Sequence, residues 1–414
     1  MIKSIENRDL NPYGTDPSGN PLDRFGLSRP VWLLGWVSFF TDMASEMVYP
    51  LLPLFLTRTL GASAMSLGVI EGIAEGANSA LKILSGWLSD RSGEPKKLVL
   101  GGYSLSSAVR PLIAFVSAWP QVLALRFVDR LGKGIRSSPR DAMLATFAPD
   151  ETRGRVYGFH RAMDHAGAVA GPLIATAYLY FNPDAYRSLF AWTIVPGIIV
   201  ILLILRVPSA PKPRSGEAQP PPSILRPPLP RRFYTAMAII FLFALGNASD
   251  AFILLRLTEL GVPPFWIPLL WSALHVVKMS SSVIGGALSD RFGRRMMIVA
   301  GYLWYAGIYG ALASTSSIAI VVPVFLAYGL YFGFTEGVEK AWVADMAPAG
   351  ARGTAFGIYN AALGVGGLAA SLLFGAIWTH VSPDAAFLTG ASLALAASLL
   401  LYLSFSDDKN SRHQ

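Results

Sequence analysis

The sequence predicts an all-helical chain that crosses a membrane many times and consists of two related halves. Three observations carry that reading. Of 414 residues, 53% are apolar and only 14% charged, against about 25% charged in a soluble domain, and mean hydropathy is +0.45. Apolar runs of roughly twenty residues recur along the whole chain, which is what one helix needs to cross a bilayer core. The stretch Gly86-Trp87-Leu88-Ser89-Asp90-Arg91-Ser92-Gly93 also returns two hundred positions later as Gly286-Ala287-Leu288-Ser289-Asp290-Arg291-Phe292-Gly293.

Residues 1–29 are polar, rich in turn formers and without a cleavable signal pattern, so they read as a cytoplasmic tail. Apolar segments then follow at about 31–57, 64–89, 98–118, 121–147, 155–181 and 188–207, and together make a first half over 30–207. Residues 208–232 are dense in proline and basic side chains. They have little to bury and read as an extended cytoplasmic linker. A second half over 233–405 repeats the plan at about 233–257, 265–289, 296–314, 318–346, 355–380 and 385–405, and 406–414 forms a short cytoplasmic tail. Twelve spans of about 25 residues account for roughly 300 positions.

The halves align beyond the repeated stretch. Ala148-Pro149 and Arg153-Gly154 match Ala347-Pro348 and Arg352-Gly353, Gly158 matches Gly357, Gly167 matches Gly366, and Ala44-Ser45-Glu46 resembles Ala248-Ser249-Asp250. In each copy of the repeat, Gly86 or Gly286 lets another helix come close. Asp90 or Asp290 ends its helix, where its charge is poorly placed for its own dipole and well placed for a neighbour's N-terminus or an arginine. Arg91 or Arg291 follows, and Gly93 or Gly293 permits a tight turn.

Net charge is +8. The basic residues gather in alternate loops, at Arg91, Lys96, Lys97, Arg153, Arg155, Arg291, Arg294, Arg295 and Arg352. That is the bias of cytoplasmic loops and not a nucleic-acid footprint. It places both termini inside, with a bacterial inner membrane as the expected location. The absence of cysteine rules out disulfides and thiolate chemistry. No phosphate-binding loop motif is present, which argues against ATP-driven transport.

The duplicated Gly-x-x-x-Asp-Arg-x-Gly between apolar helices resembles the loops joining the second to third and eighth to ninth helices of the major facilitator superfamily. The resemblance implies two pseudo-symmetric six-helix bundles that move solutes by alternating access, with no enzymatic activity, no cofactor, no metal and a monomeric state. Gly167-Ala168-Val169-Ala170-Gly171-Pro172 resembles the fifth-helix motif commonest in the proton antiporters of that superfamily, with Gly167, Gly171 and Pro172 as its signature residues. The second-half counterpart Gly364-Val365-Gly366-Gly367 lacks the proline.

Charges within spans are the informative residues, because each costs about 2.5–3.5 kcal/mol at a helix centre and must face a cavity or a partner. The fourth span carries Arg126, Asp129, Arg130, Lys133, Arg136, Arg140 and Asp141. Most of these share one helical stripe, about 21 Å long from Arg126 to Arg140. The upper part, Arg126, Arg130 and Lys133, reads as a basic wall that attracts an anionic group or as internal ion pairs. Arg136, Arg140 and Asp141 read as internal ion pairs. The superfamily resemblance associates a fourth-helix arginine with proton transfer, which Arg126 matches, although Asp129 stands where a neutral residue is usual.

Asp42 and Glu46 lie one turn apart on the first span, and a carboxylate in a low-dielectric setting can exchange a proton. In the fifth span, His160, Arg161, Asp164 and His165 read as a polar gate lining or as a proton relay. In the second half, Lys278, Glu336, Glu339 and Lys340 stand out. Glu336 and Lys340 are spaced to pair with each other, which leaves Glu339 as the more informative acid. The proton-coupling candidates are Asp42, Glu46, Arg126, Asp129, Asp164 and Glu339. The candidates for the substrate cavity are Arg130, Lys133, His160, Arg161, Lys278 and Glu336. Glu71 and Glu75 are expected at the outer mouth.

The expected function is proton-coupled secondary transport, exporting a small anionic or zwitterionic organic solute or drug, with that solute, protons and the lipid bilayer as partners. Two alternatives stay open. One is a proton-coupled uptake symporter for an anionic metabolite such as a carboxylate or carboxylate siderophore. The other is a membrane sensor or scaffold that transports nothing.

Overall fold

The computed structural model describes residues 14–52, 55–61, 78, 81–182, 185–209, 229–262 and 267–405. Glu71 and Glu75, the two tails' outer parts and most of the linker lie outside them. Helix α1 spans Arg29–Glu46 and starts on Pro30, whose missing N–H costs nothing in a first turn. Helix α2 runs over 81–92. Helix α3, Pro95–Val109, tightens into a 3-10 segment, Arg110–Phe115. Then come α4, Trp119–Thr146, and α5, Arg153–Phe181. Helix α6, Tyr186–Arg206, completes the first set.

The second set is α7, in two pieces Arg231–Gly246 and Ala251–Glu259, then α8, Ile267–Phe292, α9, Arg294–Ser314, α10, Ile318–Met346, α11, Arg352–His380, and α12, Pro383–Ser404. The sequence expects one unbroken seventh span. The break falls at Asn247-Ala248-Ser249, where the Asn247 side chain donates to the Tyr331 hydroxyl and the Ser249 N–H to the Ser371 hydroxyl, each at 3.3 Å. Helices α5 and α11 have the same 29-residue length.

Among the described residues, six helices are long and apolar enough to cross a membrane by composition: Pro95–Phe115, Tyr186–Arg206, Arg294–Ser314, Ile318–Met346, Arg352–Trp378 and Pro383–Ser404. Charged and polar residues hold α1, α4 and α5 out of this group, and the charged stretches of α4 and α5 are turned largely to protein. Arg126, Asp129 and Arg136 on α4, and His160 and Asp164 on α5, are all buried.

Within the first bundle α1 packs on α5 and α6, and α3 on α4. Within the second, α8 packs on α10, α9 on α10 and α12, and α7 on α11 and α12. The bundles meet mainly where α5 lies against α8 and α10, and where α11 lies against α4. The second bundle is filled by tyrosine. Tyr302, Tyr305, Tyr309 and Tyr328 are fully buried, and Phe243 stacks on Tyr302 with ring centroids 3.9 Å apart.

Candidate functional site

The repeated motif ties the two bundles together at one end. Asp90, at the end of α2, accepts hydrogen bonds from the backbone N–H of Gly353 (2.8 Å) and Thr354 (2.6 Å) and from the Thr354 hydroxyl. Asp290, at the end of α8, accepts from the N–H of Gly154 (2.9 Å) and Arg155 (2.9 Å) and ion-pairs with Arg294. Each carboxylate therefore caps the free N–H groups of a helix in the opposite bundle. Between these caps the helices touch through glycine. A Cβ on Gly86 would collide with the Gly353 carbonyl, and one on Gly286 with that of Gly154. Gly93 and Gly293 have φ of 64° and 89°, which turns the chain out of α2 and α8. Arg91 and Arg291 are exposed. Arg153 adds a 2.7 Å ion pair to Asp345 across the bundles.

Deeper in, charges from both bundles meet. Arg161 of α5 holds Glu336 of α10 with two N–H groups, at 2.9 and 2.5 Å. It also bonds Asp164 at 2.7 Å. His165 Nε2 lies 3.2 Å from Glu336. The Ser38 hydroxyl of α1 hydrogen-bonds Asp164. His160 is completely buried, with its Nδ1 3.8 Å from Asp164. Lys340 does not pair with Glu336, as its spacing on α10 predicts, but with Asp141 of α4 at 2.7 Å. Both partners that Glu336 takes come from α5, because α10 packs on that helix and a bidentate arginine outcompetes a flexible lysine on the same helix.

The remaining candidates divide between the bundles. In the first, Asp129 is held by Arg110 of the 3-10 segment (3.1 Å) and by Arg126 (3.4 Å). The guanidinium groups of Arg126 and Arg130 lie 4.7 and 5.8 Å from the Tyr49 ring centroid. Asp42 and Glu46 are half-buried on α1. Asp42 lies in the field of Asp164, Lys133 and Arg161, and Glu46 in that of Lys133, Arg130 and Arg110. Gly167 and Gly171 bring α5 onto the α1 backbone beside Met43 and Glu46, and Pro172 stays within the α5 helix.

In the second bundle Lys278 pairs with Asp250 (3.0 Å) and sits 3.6 Å from the Phe332 ring centroid. Glu339 faces Tyr302 (2.9 Å) and Tyr359 (3.0 Å). Arg110, Asp141, Lys340, Asp345 and the tyrosine partners of Glu339 are parts of this network that reading by spans did not mark as site residues. One signal pointed to Asp141 and Lys340: the register that matches Ala148-Pro149 to Ala347-Pro348 also puts them opposite each other. The arrangement can do two things chemically. It pairs cations of one bundle with carboxylates of the other, and it holds carboxylates whose partners change if the bundles separate.

Comparison with known proteins agrees with this architecture. The family model "Major Facilitator Superfamily" matches residues 34–337 and 239–414. An uncharacterised MFS-type transporter of Methanocaldococcus jannaschii is 31% identical over 407 residues, covering 97% of this chain and 99% of that protein. The fosmidomycin resistance protein of Escherichia coli is 24% identical over 388 residues, covering 90% of this chain and 92% of that one. Among solved structures, a human organic anion transporter superposes with a TM-score of 0.76 at 16% identity, over 90% of this chain and 99% of that one.

Proposed function

The chain belongs to the major facilitator superfamily, and from that premise we propose that it is a proton-coupled exporter of a small anionic or zwitterionic organic solute. It is a multi-pass membrane transporter and not an enzyme. The observation that carries the finer reading is the half-buried meeting of Arg161, Glu336 and His165 between the bundles. Opening the junction separates these charges, so their cost must be offset by protons or by solute in the alternate state. The fifth-helix glycines pressed on α1 beside Glu46 support export, and the name of the E. coli relative fits a drug-like substrate. The motif end is the cytoplasmic end in this reading, with both termini inside a bacterial inner membrane and the monomer as the working unit.

Purified protein in liposomes tests the proposal. Fosmidomycin and a set of aromatic carboxylates are offered as substrates, with a pH gradient imposed in either direction. Export coupling predicts solute moving against the proton gradient. Movement with the proton gradient would replace the proposal with the symport reading, which the basic wall of Arg126 and Arg130 beside Tyr49 favours. Flux indifferent to both gradients would remove proton coupling.

A further inference from the structure

The two bundles carry the same frame with opposite charges in it. Helices α3 and α9, and α4 and α10, align in one register. In that register Tyr103 corresponds to Tyr302, Arg140 to Glu339, Asp141 to Lys340, and His160 to Tyr359. The contacts follow suit. The Tyr103 hydroxyl lies 3.3 Å from Arg140 in the first bundle, and the Tyr302 hydroxyl 2.9 Å from Glu339 in the second. The outcome for the charge differs. Arg140 pairs with Asp141 at 3.0 Å. Glu339 is not paired with its neighbour Lys340, because Lys340 reaches across to Asp141.

Glu339 is 3% exposed. Each of its oxygens accepts one tyrosine O–H, from Tyr302 of α9 and Tyr359 of α11. Among the described residues neither oxygen meets a cation. The other titratable groups on α10 are committed elsewhere: Glu336 to Arg161 and His165, Lys340 to Asp141. Tyr331 is a phenol on the same helix. Helix α4 offers Arg140 and Asp141, which bond each other, and α8 offers Lys278, bonded to Asp250. Helix α7 presents Phe243, stacked on Tyr302.

We propose that Glu339 is the proton-binding carboxylate of this transporter, held by Tyr302 and Tyr359. A bare carboxylate is costly in so dry a place. Two neutral donors offset part of that cost and leave the group free to take up a proton, which a bidentate arginine would prevent. The position one residue before Lys340 gives the proton a mechanical reading. Any rotation of α10 that exposes Glu339 to water also moves the Lys340–Asp141 bridge. This inference rests on the proton-coupled reading above, but its test does not need transport.

Infrared difference spectra of the purified protein, taken between pH 5 and pH 9, report protonated carboxyl groups directly. Wild type is expected to show a pH-dependent carboxyl band that Glu339→Gln abolishes and Asp42→Asn leaves in place. Tyr359→Phe removes one donor and should move the band's frequency, a change that mere loss of packing would not produce. A band intact in Glu339→Gln, or unmoved in Tyr359→Phe, overturns the proposal. If the band behaves as expected while liposome flux ignores the pH gradient, the proton site stands and proton coupling falls. If flux follows the gradient and the band stays in Glu339→Gln, the reverse holds.

Discussion

Lys340 Nζ lies 2.7 Å from Asp141 Oδ2, and the two residues occupy equivalent positions in the two bundles. A salt bridge between symmetry-related positions sits on the axis that relates the bundles. It joins α4 to α10 without favouring either, and it must break if that end opens. Asp141 is fully buried and Lys340 nearly so; without Lys340, Asp141 keeps only Arg140 at 3.0 Å, so the cost should lie below the about 3–5 kcal/mol of a buried charge left with no partner. Lys340→Met is therefore expected to lower the melting temperature of the detergent-purified protein by several degrees. Asp141→Lys combined with Lys340→Asp should recover part of that loss. A double swap no better than the single variant would show that the bridge contributes nothing.

The glycine contacts make a second prediction. At Gly86 and Gly286 an added methyl meets the backbone of the opposite bundle, which cannot swing aside as a flexible side chain can. Gly86→Ala and Gly286→Ala should each force the motif end apart. The chain has no cysteine, so Asn360→Cys supplies a single thiol, at a position only 9% exposed at the junction. It should react slowly with a membrane-impermeant maleimide in the parent and at least several-fold faster with either alanine present. Equal rates would mean that the close approach does not hold this end shut.

Much of this was legible in the sequence, and the boundary has a physical cause. Helical periodicity and the repeated Gly-x-x-x-Asp-Arg-x-Gly point to the plan, because hydropathy and turn chemistry act locally. Asp90 and Asp290 could be read as carboxylates in need of a helix N-terminus, but nothing local says that each finds it in the other bundle. Glu336 shows the limit most clearly. Its spacing to Lys340 is right for a pair within one helix, worth about 0.2–0.5 kcal/mol. Packing of α10 against α5 supplies Arg161 instead, with two hydrogen bonds at once. Tertiary contact decides between partners whenever the local preference is that small.

The helix caps can be weighed against each other. Asp90 holds two backbone N–H groups and one hydroxyl, whereas Asp290 holds two N–H groups and Arg294. Losing a cap costs about 0.5–2 kcal/mol. Asp90→Ala should fall within that range. Asp290→Ala should cost less than the loss of its ion pair implies, because Arg294 keeps Asp345 at 3.2 Å. Asp290→Ala with Asp345→Ala should then be more damaging than the sum of the two, and thermal denaturation of all three variants checks it. Strict additivity would show that the carboxylates do not share Arg294.

The last prediction concerns the solute. Lys278 is 3% exposed, ion-paired with Asp250, and capped by the Phe332 ring. Trp271 lies on the same helix with its ring centroid 5.2 Å from the ammonium. A cation set among rings suits the carboxylate or phosphonate of an aromatic or amphipathic solute. Tyr328 also donates to Asp250, at 2.7 Å, so Asp250 keeps a partner when the lysine is lost. Lys278→Met is therefore expected to fold and to raise the apparent KM for an anionic solute by ten-fold or more, with a smaller change for a neutral one. Lys278→Arg should lie between, since the planar guanidinium keeps the charge but not the compact seat over Phe332. Equal losses for anionic and neutral solutes would mean that Lys278 supports the bundle and does not recognise charge.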